Sequence, residues 1–463
     1  MPTADFAASS GPADREPITL LRELLGAGDE AALRAFLTPY HPSDLADLLE
    51  ELDEGERMQV LRALAGEPAL AAEALAEMEW EEHPEDSLAA LDPEHIASLV
   101  AELSDDDAAD IIGELDPEQQ DRVLSALPLA DAGDIRELLH YHEESAGGIM
   151  TAELVAVPQH ISAAEAIAEV RRQARELDEF YSIFVVDEQH RLCGTLSLQA
   201  LITADPAQPV GSLVEPVVAT ADLAMDQEEV SRVLTRYNLV TVPVVDAAGR
   251  LLGQITFDDV IDVIEAETTE DILKLGGVSE EEEIRGGWFD AVRSRLPWLT
   301  VNLALASVSA TVVFLFSPTI ERMTLLAALM PVVAGMGGNT GTQALAVTVR
   351  RLALSRESTR RRWQIVLKEL LVGMSNGLVM GLLAAGLATL MAYALGETLM
   401  LGLVVLLAMW LNLVLAGFAG SFVPILLEHL GVDPAVASSI FVTPFTDMAG
   451  FLLLLGLATH LLL

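Results

Sequence analysis

The chain has one cysteine among 463 residues, Cys193, so no disulfide can form within it. It has two lysines, Lys274 and Lys368, and neither follows the glycine spacing of a phosphate-binding loop, which excludes a P-loop ATPase. Basic residues number 26 against 71 acidic ones. The net charge of -45 repels nucleic-acid phosphates, so nucleic acid is not expected as a partner. The nine histidines are scattered and, with a lone cysteine, offer no zinc or soft-metal cage. No Ser/His/Asp constellation emerges, and the chain is read as no enzyme.

What the chain does have is sharply divided. Residues 291–463 carry seven acidic and ten basic side chains, whereas residues 1–290 carry 64 and 16. A very acidic soluble half is therefore joined to an apolar, slightly basic half. Acidic surfaces attract cations, both diffuse and specific. Residues 1–17 are polar and rich in Pro, Ala and Asp, and are expected to be disordered.

Five apolar runs make up the second half: Pro297–Phe316, Met323–Val349, Leu370–Leu395, Thr398–Leu427 and Pro434–Leu463. Each reaches the roughly 20 residues that cross a bilayer core. Arg350, Arg351, Arg356, Arg360, Arg361, Arg362 and Lys368 lie between runs two and three, and Arg285, Arg293 and Arg295 precede run one. Such positive loops face the cytosol. The N-terminal half is then cytoplasmic, and five spans put the C-terminus outside.

Few polar groups interrupt these runs. Asp447 sits inside the fifth, where a carboxylate costs about 2.5–3.5 kcal/mol on insertion scales. Ser439, Thr443 and Asp447 recur every four residues and share one helical face. The second run contains GMGGNTGTQ at 335–343, in which Gly337, Gly338 and Gly341 permit close approach and Asn339 adds an oxygen. Pro424 and Pro444 interrupt helical hydrogen bonding in runs four and five. Taken alone, these features fit either a cation path or tight helix packing around a structural Asp.

The acidic half shows two kinds of repeat. In residues 41–127, a Pro or Asp leads small or apolar residues at helical spacings: Pro42 leads Leu45, Ala46, Leu48 and Leu49, and Asp105 leads Ala108, Ala109, Ile111 and Ile112. The pattern predicts a superhelix of short helices. Residues 180–202 then align without gaps on 239–261, with Val185, Val186, Asp187, Arg191, Leu192 and Gly194 recurring 59 positions later. Each copy reads strand, turn, strand, helix, and resembles one half of a CBS-domain pair. In that family a Thr/Ser-x-x-Asp contacts a nucleotide ribose. Thr256 and Asp259 match it, whereas Ser197 is followed by Ala200, so the first half-site is degenerate. Acidic clusters at Asp105, Asp106, Asp107 and Asp110, and from Asp258 to Asp271, suit an all-oxygen site for Mg²⁺ or Ca²⁺. TTEDILKLGG, at 268–277, reads as a linker helix stopped by Gly276 and Gly277.

Taken together, SAGGIMT (145–151), DQEEV (226–230), EAETTEDILKLG (265–276), GGNTGTQ (337–343), LGVDPA (430–435) and TDMAGF (446–451) resemble the MgtE family of magnesium channels and transporters. The resemblance implies a multidomain protein. An acidic all-α superhelical domain (18–143) is followed by an α/β CBS pair (144–266, dividing near 208). A linker, or plug, helix (267–296) then leads into five all-α transmembrane helices (297–463). It implies a homodimer in the inner, cytoplasmic membrane, with Mg²⁺ both transported and regulatory and ATP as a modulator. By resemblance, Asp447, Thr443 and Ser439 belong to the filter, and Asp433 lies at the cytosolic end of the fifth span. Asp106, Asp110, Asp226, Asp259, Asp262, Glu267, Glu270 and Asp271 match sensing positions, and Thr256, Asp258 and Asp259 nucleotide contacts. Asn238 stands where the family is expected to carry an acid. The mechanism so implied is closure when Mg²⁺ bridges the carboxylates. The alternatives are an ion-coupled divalent cation carrier, or a receptor whose membrane part is only an anchor.

Overall fold

The computed structural model describes residues 17–463 apart from 79–87, 89–90, 92, 130, 176, 178–179, 279–287, 355–358 and 436–437. At 93, 290, 353–354, 359–361 and 438–439 it describes the backbone alone. The expected disordered start therefore lies outside the described residues, except for Pro17, where the first helix begins. The acidic stretch 279–287 lies outside them too. The chain divides into two compact units, Met1–Glu265 and Ala266–Leu463.

The first unit opens with short helices: α1 (Pro17–Ala27), α2 (Glu30–Leu37), α3 (Pro42–Glu50), α4 (Glu54–Ala63) and α5 (Pro68–Ala76). They continue as α6 (Pro93–Val100), α7 (Asp105–Gly113), α8 (Pro117–Ala126) and α9 (Asp131–Leu138). Their starts are encoded locally. Asp53 and Glu56 form a capping box at α4, and Asp116 accepts from the Glu118 and Gln119 amides at α8. The repeat positions Leu45, Ala46, Leu48 and Leu49, and Ala108, Ala109, Ile111 and Ile112, are buried as their spacing requires. Gln120 donates to the carbonyls of Gly113 and Leu115 and so ties α8 to the turn before it.

Two similar α/β modules follow. In the first, β1 (Val155–Pro158), α10 (Ala163–Gln173), β2 (Ile183–Val186), β3 (Leu192–Leu196) and α11 (Leu198–Thr203) form a sheet ordered β1-β2-β3. In the second, β4 (Ala221–Asp222), α12 (Gln227–Tyr237), β5 (Thr241–Val245), β6 (Leu251–Thr256) and α13 (Phe257–Gly276) repeat that order. The first pair in each sheet is parallel and the second antiparallel. Asp187 holds the β2–β3 turn by accepting from the Gln189 and Arg191 amides and pairing with the Arg191 guanidinium, and Asp246 with Arg250 does the same in the second module.

The offset of 59 reappears as contact. The Leu192 amide donates to Gly249 and the Leu251 amide to His190, each at 3.0 Å, and the Ser182 and Thr241 hydroxyls meet at 2.7 Å. Matching positions thus face one another across a local two-fold. The second module shares its core with α6–α9, through Ile96, Ile112, Val123 and Ile135 against Val230, Val242, Ile255 and Val260.

The helix expected over 268–277 is the end of a longer one. Nothing between Phe257 and Leu275 is Gly or Pro, so α13 runs unbroken from the second module and crosses the division between the units. Gly277, at φ +74°, then ends it, as the two glycines predict.

The second unit contains α14 (Trp288–Leu315), the short α15 (Ser317–Arg322), α16 (Leu325–Leu354), α17 (Thr359–Leu395), α18 (Met400–Leu430) and α19 (Ser438–Leu461). Among the described residues, four of these, α14, α17, α18 and α19, are long and apolar enough to cross a membrane. The other expected span is α16, a helix of 30 residues whose glycine-rich run, with Asn339 and Gln343, dilutes its hydropathy. Gly373, Gly377 and Gly381 form a stripe on α17 against the carbonyls of Leu413, Trp410 and Leu406 on α18, where added methyls would lie 2.5–3.0 Å from oxygen. Leu378, Leu382, Leu383 and Leu390 point outward from α17, as a lipid-facing surface requires. Pro297, Pro331, Pro424 and Pro444 all sit inside continuous helices.

Phe184 on β2 is fully buried. Phe184→Ala is expected to cost about 3–5 kcal/mol, read as a lower first transition in thermal unfolding of the full chain in detergent. An unchanged transition would show that the module core tolerates the cavity.

Candidate functional site: an intramembrane cavity and an acidic cluster

Helices α16 and α19 bring the polar residues of the second unit together. Their facing surfaces, with parts of α14 and α15, line an open cavity of about 730 Å³. Gly338, Asn339 and Thr342 of α16 line one wall, and Thr443 and Asp447 of α19 the other. Thr443 and Asp447 share the cavity because they are one helical turn apart. Ser439 lies on the same helix a turn earlier, but its side chain is outside the description. The cavity offers oxygen ligands and one carboxylate, the donor set a hard divalent cation prefers.

Other predicted pore residues are placed behind this wall. Gly337 faces Asn412 of α18, and Gly341 packs against Val442 of α19. Pro424 is buried in α18 and does not line the cavity. The Pro444 carbonyl accepts from the Ser309 hydroxyl of α14 at 3.3 Å, so a proline-disturbed turn is tied to a neighbouring helix.

At the linker, Lys274 on α13 pairs with Glu270 one turn away and with Asp433 at 3.0 Å. Leu275 packs beside it on Leu345, Val349 and Ala435. Glu270 and Asp433, both expected as metal ligands, are thus bridged by the chain's own ammonium. Glu267 and Asp271 lie on the same helix.

In the first unit, α7 and α13 bring carboxylates together. Asp106 is buried, and its Oδ1 has no partner among the described residues. Burial, then the charges of Asp259 and Asp107, push its carboxyl well above the usual range. Burial and a set of neighbours led by Asp107 raise Asp110 to about 7. Asp259 is raised to about 6, by burial and by Asp258 and Asp107, against the lowering effect of its Thr256 hydrogen bond. Asp107 and Asp262 are raised as well, by burial first and then by acids that include Glu77 and Asp258.

Asp107 and Asp258 thus join the predicted sensing residues Asp106, Asp110, Asp259 and Asp262. Glu77 was not legible, because nothing near it in sequence marks it out. Asp226 stands apart: it caps α12 by accepting from the Glu228 amide. No three His, Cys, Asp or Glu side chains among the described residues already form a metal cage.

The predicted nucleotide residues have a local role too. Both the amide and the hydroxyl of Thr256 donate to Asp259 Oδ2, closing the N-terminus of α13. Asn238, the expected departure, is the C-cap of α12 in the left-handed conformation at φ 52°. Asn tolerates that geometry better than most residues, which gives it a structural reason to be there.

A carboxyl raised in the folded state stabilises the fold only while protonated. The contribution of Asp110 and Asp259 is complete below pH about 4 and is lost as pH rises through about 6–7. The metal-free chain is therefore expected to lose thermal stability between about pH 4 and 7, and millimolar Mg²⁺ to remove most of that slope. A flat metal-free profile would mean that these carboxylates do not meet in solution.

Comparison with known proteins places these features in a family. Residues 330–457 match the MgtE family, described as a divalent cation transporter, residues 40–144 its intracellular N domain, and residues 146–207 and 210–266 CBS domains. The chain is similar to the magnesium transporter MgtE of Thermus thermophilus, 38% identical over 96% of this chain and 98% of that one. It is 30% identical to the Bacillus subtilis magnesium transporter MgtE over 94% and 95%. A crystal structure of the cytosolic domain of the Mg²⁺ channel MgtE in complex with ATP is 39% identical, covering 53% of this chain and 99% of that one, with a TM-score of 0.49.

Proposed function

Because this chain belongs to the MgtE family of magnesium transporters, we propose that it is a homodimeric Mg²⁺ channel of the cytoplasmic membrane that its own acidic domains close. The observation that carries the pore reading is the cavity between α16 and α19. It places Asp447 and Thr443 opposite Asn339 and Thr342, in a part of the chain otherwise almost free of charge. A lone carboxylate with hydroxyl and amide oxygens attracts a divalent cation and leaves it most of its water shell, which suits an ion that dehydrates reluctantly. A second copy would supply a second Asp447. Ser439 extends the same helical face toward the cytosolic end.

The gate follows from charge. Asp106, Asp110, Asp259 and Asp262 repel one another unless protons or cations intervene. The partnerless oxygen of buried Asp106 fits such a cation. Mg²⁺ held there favours the closed arrangement by its tighter binding to it. Glu267, Glu270 and Asp271 on α13 extend this response to the linker, and Asp226 is proposed as a further ligand. Lys274 holds the end of α13 against Asp433 without any metal, so part of the linker's grip is independent of Mg²⁺. ATP is proposed to act at Thr256, Asp258 and Asp259. Because Asp259 belongs to both groups, ATP and Mg²⁺ would affect each other's binding. The basic loop between the second and third spans supports a cytoplasmic N-terminus and an outer C-terminus.

The deciding measurement is Mg²⁺ flux into proteoliposomes. Asp447→Ala is expected to abolish it with the dimer intact; equal flux in the variant would move the pore elsewhere. A dependence on a Na⁺ or proton gradient would favour the coupled carrier instead. Asp259→Asn with Glu267→Gln is expected to leave flux running at internal Mg²⁺ that shuts the wild type, and normal shut-off would refute the gate. Lys274→Met is expected to make closure require more internal Mg²⁺, and an unaltered threshold would show that the ammonium bridge does not contribute.

A further inference from the structure

Asn412 lies midway along α18, in a membrane-length helix, and is wholly buried. Its Nδ2 donates to the Val333 carbonyl of α16 at 3.0 Å. The same amide fills a notch made by two glycines. A methyl on Gly337 of α16 would lie 2.3 Å from it, and one on Gly450 of α19 2.9 Å. Gly337 and Val333 flank the stretch of α16 that leads to Gly338 and Asn339. Gly450 is three residues beyond Asp447. One side chain on a third helix therefore touches both cavity walls from behind.

Leucine has a similar size and would fill that notch with no polar group to desolvate. Among the described residues Asn412 Oδ1 has no partner at full burial, a cost that packing alone does not explain. The Val333 carbonyl fixes which end of the amide faces α16, because only the NH₂ group can meet an oxygen there. The donor is what leucine lacks.

We infer that Asn412 is a positioning residue for the ion path: it sets the distance between the Gly338–Asn339 wall and the Thr443–Asp447 wall, and with it the preference for Mg²⁺ over larger Ca²⁺. The inference rests on the pore reading above. Spacing matters because Mg²⁺ demands near-ideal geometry about itself and its waters, whereas Ca²⁺ accepts a looser shell. Asn412 touches no ion; it acts through the backbones of α16 and α19.

The test is paired uptake of Mg²⁺ and Ca²⁺ into proteoliposomes, with the dimer and its melting temperature checked for each variant. Asn412→Leu keeps the number and branching of the side-chain heavy atoms and removes the donor. Its Mg²⁺-to-Ca²⁺ uptake ratio is expected to fall by about tenfold, the equivalent of one buried hydrogen bond. A wild-type ratio in the folded variant would overturn the inference. Should that variant not fold, Gly337→Ala carries the test, because its methyl displaces the amide and should lower the ratio as well. Adding Asn412→Ala to it should lower the ratio no further than Asn412→Ala does alone, and additive losses would again overturn the inference. Asp447→Ala in the same vesicles separates the two levels. If it transports normally, the pore reading fails and takes this one with it. If it abolishes flux while Asn412→Leu keeps its ratio, only the role of Asn412 fails.

Discussion

Carboxylates that share a confined space must find a counter-charge or separate. Much of this molecule can be understood from that constraint. In the first unit, α7 and α13 set Asp106, Asp107 and Asp110 against Asp258, Asp259 and Asp262, and burial removes the water that would screen them. Such a contact stores repulsion that protons, or under the proposed gate Mg²⁺, would relieve. A sensor needs this marginality, because an arrangement already stable without its ligand would not respond to it. At the linker the same problem is met differently: Lys274 supplies a fixed positive charge to Glu270 and Asp433. One contact is thus open to titration by ions, and the other is satisfied within the chain.

The membrane unit obeys the matching constraint for polar groups in an apolar medium. Some of its polar side chains line the cavity, several hydroxyls, such as those of Thr340, Thr348 and Ser421, bond back to a carbonyl of their own helix, and others bond to backbone on another helix. Trp410 donates to the Met374 carbonyl, Ser309 to Pro444 and Asn412 to Val333. Glycine stripes let α17 and α18 approach until side chains of one reach the backbone of the other. Under the proposed channel reading such close packing matters, because an ion path discriminates through small differences in spacing.

Internal duplication gives the nucleotide-type modules a local two-fold, visible in the reciprocal bonds of Leu192 with Gly249 and Leu251 with His190. The copies have nonetheless diverged where it matters. Thr256 and Asp259 close the start of α13 in the second copy, whereas Ser197 has only Ala200 in the corresponding place. The second copy also carries α13, on which both the acidic contact and the linker residues lie.

By itself, the sequence determined what depends on near neighbours. The short capped helices follow from Pro and Asp at their starts, the paired modules from a repeat of 59, and the membrane helices from long uncharged runs, because each is set by spacing along one segment. Placing Thr443 and Asp447 on one face needed only the helical period. Tertiary structure decided what depends on the approach of distant segments. Glu77 joins the acidic cluster only because α5 ends near α7 and α13, and Lys274 meets Asp433 across 159 positions. Asn412 looks like an isolated polar residue in an apolar helix until Gly337 and Gly450 are seen to leave room for it. Nor could spacing reveal that Asn238 is a left-handed cap or that α13 continues through the expected linker boundary. Those outcomes depend on backbone geometry and on contacts made only when the chain has folded.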